Sequence, residues 1–261
     1  MILVRHELRQ GRVSFCVWTA AIGFLLAICV FLFPEMKAQM AVFNKLFASM
    51  GAFTAAFGLD KLNFGTLLGY YAIECGNVLG LGGACFASLC AVGMLAKEER
   101  DRTAEFLLTH PVSRARIIAQ KLLAVLIQIT AMNLAVYVLS LASIAAIGEE
   151  IPWSSLSLIH LGYYLMQMEL AAICFGISAF VRKGGAGIGL GLAVVLYFLN
   201  LIANIAKPAA FLGYVTPFGY CDGAQILSGG GLDGVKLAIG AAAGAAGVAL
   251  AFAKYTRKDI R

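Results

Sequence analysis

Charge is what this sequence has least of. Asp, Glu, Lys and Arg together make up 13% of its 261 residues, about half the share a soluble domain carries. With 61% hydrophobic residues and a mean hydropathy of +0.87, most of the chain must lie in lipid, which excludes a water-soluble globular fold. Other absences narrow the chemistry. No Gly-x-x-x-x-Gly-Lys-Ser/Thr run occurs, so the chain cannot cradle ATP phosphates in a P-loop. There is no Gly-x-Ser-x-Gly elbow and no His-Glu-x-x-His helix. None of the seven cysteines forms a Cys-x-x-Cys pair, and all but Cys221 fall within or at the edge of an apolar stretch, as small packing residues do. His6, His110 and His160 are too scattered for a zinc site.

What the sequence does have is long charge-free intervals, each near the 20 or so apolar residues that cross the hydrocarbon. Six are legible: 13–33, 75–96 with an earlier start near Leu67, 122–148, 158–181 (interrupted by Glu169), 184–206 and 237–253. The first is longer than the apolar core of a signal peptide, and no Ala-x-Ala site follows it, so it reads as an uncleaved helix. Six spans put both termini on one side. Of the 20 Lys and Arg residues, 15 fall at the termini and in the loops after spans two and four, and 5 on the other face. The excess of positive charge marks the cytoplasmic side. The net charge of +6 thus follows from topology, and its division among four loops and tails argues against nucleic acid as a partner.

The expected organisation is a single domain, 1–261. It has an interfacial lead-in at 1–12, an external segment at 35–66, a cytoplasmic segment at 97–116 and an external or re-entrant segment at 207–234. In the first external segment Val42, Leu46, Met50 and Phe53 recur at helical spacing, a stripe suited to lying on the membrane or the bundle. The 207–234 segment holds Pro208, Pro217 and a glycine run at 229–231; it is too broken to span and too apolar to be a free loop. Small residues four apart, such as Gly76 and Gly80 or Gly240 and Gly244, permit close helix packing. Gly185, Gly187, Gly189 and Gly191 in span five suit either packing within the chain or a dimer interface.

The 97–114 stretch is dense with charge in an otherwise apolar chain. Asp101 or Thr103 can cap a helix start, Glu105 then sits in the first turn, and Ala104, Leu107, Leu108 and Pro111 share a face that Pro111 ends. From chemistry alone this is equally a rigid docking element tied to spans two and three or a solvated loop whose charges enforce topology. Glu98-Glu99 is similar to the Glu-Glu-x-x-x-Arg of intramembrane CAAX-type proteases, but Thr103 stands where the Arg is needed.

Glu98, Thr103, Glu105, Leu107, Leu108, Pro111, Val112, Ser113 and Arg114 fall in register with the signature of ABC-2-type transporter permeases, the membrane subunits of ATP-driven exporters, and the stretch resembles it closely. Arg102 replaces the small residue often found before the Thr. The Tyr214–Leu227 segment, with its Pro217-Phe218-x-Tyr220, and the basic ending at Tyr255–Ile260 are similar to other parts of the same family, so the resemblance covers essentially the whole chain. It implies an all-α integral membrane fold of six transmembrane helices, in the type V exporter-like architecture. A cytoplasmic coupling helix would lie between spans two and three, and a re-entrant or interfacial segment before span six. It further implies pairing with a second permease, identical or related, and docking of P-loop ABC ATPase subunits on the cytoplasmic face. ATP and Mg would be bound by those subunits, with no cofactor on this chain. Glu98, Thr103, Glu105, Leu107, Leu108, Pro111 and Arg114 are the expected coupling residues.

Inside the membrane, Glu169 lies about 18 Å above the cytoplasmic end of span four at 1.5 Å per residue. A carboxylate there costs a few kcal/mol unless paired, protonated or facing water. It is either a functional group or a carboxyl neutralised by a neighbouring helix. Asn200 and Asn204 sit one turn apart on span five and suit helix–helix hydrogen bonds or a pathway lining. His160, Tyr164 and Gln167 form a polar stripe on the side of span four opposite Glu169. Two further function classes remain open: a secondary transporter or channel using Glu169 as an ion or proton site, and a non-transporting anchor for a soluble complex. The absence of an evident internal repeat argues against the former.

Overall fold

The computed structural model describes residues 2–40, 42–43, 46, 50–59, 62–100, 112–181, 185–229 and 231–257, with the side chain of Phe53 outside that set. In lipid the backbone must satisfy its own hydrogen bonds, and among the described residues there are helices and no strands. Six helices are long and apolar enough to cross a membrane: α1 (Ile2–Ala38), α3 (Leu67–Val92), α5 (Arg114–Ala146), α6 (Trp153–Ser178), α7 (Ala186–Ile205) and α10 (Gly234–Arg257). Shorter elements are α2 (Gly51–Ala56), α4 (Lys97–Arg100), α8 (Phe218–Cys221) and α9 (Gly223–Gly229), with a 3-10 helix at Lys207–Tyr214.

Three helices differ in extent from the apolar intervals of the sequence. The 1–12 lead-in is no separate element but the first turns of α1, whose 37 residues reach about 55 Å at 1.5 Å per residue, well beyond a hydrocarbon core of about 30 Å. The helix that carries the third span begins at Arg114, before the apolar interval opens at Leu122, and is capped by Ser113, whose hydroxyl accepts the Arg116 amide at 3.3 Å. Lys121 closes the charge-free interval in the sequence, yet in the fold it is a buried residue of α5, because a partner neutralises it. The second helix starts at Leu67, where Thr66 accepts the Gly69 amide at 3.2 Å, and ends at Val92, short of the expected Ala96.

The most buried helices are α3 and α6. α6 packs on α3, α5 and α10, and α1 packs chiefly on α5. Glycine decides one of these contacts. A Cβ on Gly176 would lie 2.6 Å from the Gly247 carbonyl oxygen, so α6 and α10 meet backbone to backbone. The span-five glycines divide: Gly185 and Gly189 face Val92 on α3, whereas Gly187 and Gly191 face open space. Cysteines are free throughout. Ile188, Val195, Phe198 and Ile202 on α7 are exposed, as lipid-facing residues are, and so are Val42, Leu46 and Met50 of the first external stripe.

Midway along α3 the winding loosens to a π-helical turn at Gly76–Leu81, a local feature often found at functional sites. One carbonyl there, Leu79, accepts the Gln167 side-chain amide at 3.3 Å, and Asn133 donates to Gln167 Oε1 at 2.7 Å. A buried polar ladder thus crosses α5, α6 and α3.

The segment before α10 folds back into the bundle instead of covering it. Phe218, Tyr220 and Cys221 are all buried. Asp222 caps α9 by accepting the amides of Ala224 at 2.8 Å and Gln225 at 3.3 Å. Lys236 holds the turn from α10 through hydrogen bonds to the Gly219 carbonyl and Gln225 Oε1, each 3.1 Å.

Candidate functional site

At the end of the bundle that carries both described termini, a charge cluster sits where α4 leaves the membrane helices. Glu7 on α1 is 2% exposed and Lys121 on α5 is 0% exposed. Glu7 Oε1 accepts from Lys121 Nζ at 3.2 Å and Glu7 Oε2 from Lys97 Nζ at 2.8 Å. Lys121 Nζ also donates to the Met94 carbonyl at 2.7 Å and pairs with Glu98 Oε1. An ammonium has three N–H donors, so Lys121 is fully satisfied. Two carboxylates balance two lysines, which offsets much of the cost of burying charge, although Glu98 Oε2 is buried without a hydrogen-bond partner among the described residues. The cluster ties the start of the 97–114 segment to α1 and α5 together.

The other root of that segment is anchored separately. Arg114, at the start of α5, donates from Nη1 to the carbonyls of Tyr255 at 3.5 Å and Thr256 at 3.3 Å, in the last turn of α10. A guanidinium suits the negative end of a helix dipole. Of the seven expected coupling residues, Glu98 and Arg114 therefore sit at the two roots. Thr103, Glu105, Leu107, Leu108 and Pro111 lie outside the described residues, as does His110.

Deeper in the membrane, Glu169 is half-buried and its Oε2 accepts from the Tyr220 hydroxyl at 2.9 Å. Its carboxyl lies against Gly240, where a Cβ would come within 2.0 Å of Oε2. Glu169 thus joins α6, α8 and α10, its carboxyl held by one neutral hydroxyl donor. The two asparagines part company. Asn204 donates to Asp222 Oδ2 at 3.0 Å and to the Ala56 carbonyl at 3.2 Å. Asn200 faces a cavity with Asn77, Tyr163, Tyr197, Asn204 and Asp222 in its wall. The structure does not bring Glu169 to that wall. The stripe of His160, Tyr164 and Gln167 is hydrogen-bonded: His160 meets the Tyr71 hydroxyl at 2.7 Å, Tyr164 meets Thr130 at 3.1 Å, and Gln167 belongs to the polar ladder; His160 and Tyr164 also line a second cavity, of about 310 Å³, with Tyr137 and Ser157. Among the described residues no His, Cys, Asp and Glu cluster could hold a metal ion.

Glu7 and Lys121 were not legible as site residues. In sequence each is one charge among several at the edge of an apolar run, and their pairing spans 114 positions. The faint signal is Lys121 itself, two turns inside a helix that Ser113 and Arg114 start.

Residues 1–260 match the sequence model of a family described as ABC-2 family transporter protein. No curated protein matches the chain.

Proposed function

The chain belongs to the ABC-2 transporter family, and from that membership we propose that it is the permease subunit of an ATP-driven exporter. In this reading it forms the translocation pathway with a second permease in the cell membrane, the end carrying both termini faces the cytoplasm, and separate P-loop ATPase subunits bind and hydrolyse ATP with Mg. The chain itself has no hydrolytic role and binds no cofactor.

The observation that carries the reading is the double anchoring of the 97–114 segment. One root is locked to α1 and α5 through Glu7, Lys97, Glu98 and Lys121, the other to α10 through Arg114. A soluble loop that only enforced topology would have no need of a desolvated ion cluster at its base. A push on a segment held this way displaces three membrane helices as a unit, which is what coupling requires. Glu169, engaged with Tyr220 and packed on Gly240, acts here as a fastener for the re-entrant turn and not as a carrier of protons or ions.

Native mass spectrometry of the affinity-purified complex tests this. It should find a P-loop ATPase and a second permease with the chain, and the chain stripped of partners should hydrolyse no ATP. Transporter-like turnover by the isolated chain would contradict the assignment.

A further inference from the structure

The half of the bundle remote from the 97–114 segment contains a cavity of about 50 Å³ between α3, α7 and the re-entrant turn. That is more than the ~10–15 Å³ one water needs. Most of its polar wall is accounted for. Tyr197 donates to Asn77 Oδ1 at 3.0 Å, Asn204 donates to Asp222 Oδ2 at 3.0 Å, and Asp222 Oδ1 accepts two backbone amides. Three groups are left over. Asn200 is 8% exposed and Tyr163 3% exposed, and neither side chain has a hydrogen-bond partner among the described residues. Asp222 has no cation beside it among the described residues; the nearby Lys236 is engaged with Gly219, Gln225 and Asp233 instead.

Buried amides and hydroxyls are almost always partnered, and the half-buried Asp222 carboxylate, though it accepts three hydrogen bonds, keeps a net negative charge. Neutral water could satisfy the amide and the hydroxyl but would leave the charge. The donor set is made of oxygen alone: a carboxylate, the amide oxygens of Asn200 and Asn77, and a phenol. Cys221 Sγ is turned to the carbonyls of Pro217 and Phe218, each 3.5 Å away. Hard oxygen donors select alkali and alkaline-earth cations over transition metals. A single carboxylate balances one positive charge, whereas calcium sites generally gather several carboxylates.

We propose that this cavity binds a small monovalent alkali cation. Asp222 neutralises it, and Asn200, Asn77 and Tyr163 complete its shell. The ion would tie α7 and the π-helical turn of α3 to the cap of α9, fixing the re-entrant turn in place. The site lies within one chain and does not depend on the ATPase assignment.

The test is thermal unfolding of the purified full-length protein in sodium chloride against N-methylglucamine chloride at equal ionic strength, alongside equilibrium binding of radioactive sodium. The expected result is a saturable rise of several degrees in sodium, because a ligand that binds only the folded state raises its midpoint, together with saturable sodium binding. Asn200→Ala should abolish both. So should Asp222→Asn, which can still accept the Ala224 amide and cap α9. If either variant does not fold, the wild-type salt comparison and binding isotherm stand alone. Identical midpoints in the two salts with no bound sodium would overturn the proposal and leave a cavity filled with water only. Sodium stabilisation that persists in both variants would also overturn it, by putting the ion elsewhere.

Discussion

Lys121 is the residue on which the base of the 97–114 segment turns. All three of its N–H donors are engaged in a place without solvent, so removing a partner leaves charge stranded. Glu7→Ala should lower stability by about 3–5 kcal/mol, the usual cost of breaking a buried pair, seen as a lower unfolding midpoint in detergent. Replacing both Glu7 and Lys121 with Leu and Met should recover part of that loss. A Glu7→Ala midpoint equal to wild type would show the cluster to be solvated. Glu169 calls for the opposite expectation. Its amide analogue can still accept the Tyr220 hydroxyl, so Glu169→Gln should assemble and unfold nearly as wild type does. Gly240→Ala meets only the mobile end of that carboxyl, which must swing off Tyr220, and should cost about 1 kcal/mol, the usual worth of one hydrogen bond. If the two variants behave alike, the contact does not govern the α6–α10 junction.

Among elements, the α6–α10 contact and α7 make a controlled comparison. Gly247→Ala would place a Cβ 2.7 Å from the Ala172 carbonyl oxygen, while Gly191→Ala meets nothing within 4 Å. The first should destabilise by about 1–3 kcal/mol, and the second should be near neutral in the monomeric chain; equal midpoints would refute the contact. The glycines themselves were plain in the sequence, but their partners were not. Gly76 and Gly80 receive the ring of Tyr163 rather than another backbone, which four-residue spacing cannot specify. Spans were legible because hydrocarbon tolerates so few charges. The same logic marks where the apolar interval of α5 opens but not where the helix starts, because Lys121, neutralised by Glu7 far off in sequence, lies inside the helix. The break in the chain before α10 was legible from Pro208, Pro217 and the glycine run, yet the Tyr220–Glu169 hydrogen bond that seats α8 joins two elements with no pattern between them. The π-helical turn had no sequence signal beyond Gly76 and Gly80.

For the whole molecule, the charge asymmetry of 15 against 5 Lys and Arg now has a geometric counterpart. The Glu7 cluster and Arg114 share the end at which α1 begins and α10 finishes, while the Lys37–Glu149 pair, 2.9 Å, marks the other. A cysteine introduced at Glu150 should react with an impermeant reagent from outside intact cells, and one at Glu105 only after the membrane is opened. Reversed labelling would invert the topology. The central claim is that the segment between the two anchored roots receives an ATPase. The most direct test is affinity capture of that ATPase by wild type and by a Leu107→Asp, Leu108→Asp double variant, with membrane insertion checked in parallel. Burying two unpaired charges in a partly apolar contact costs several kcal/mol, and the six spans are untouched. The account predicts that the variant inserts normally and captures little or no ATPase, whereas capture equal to wild type would contradict it.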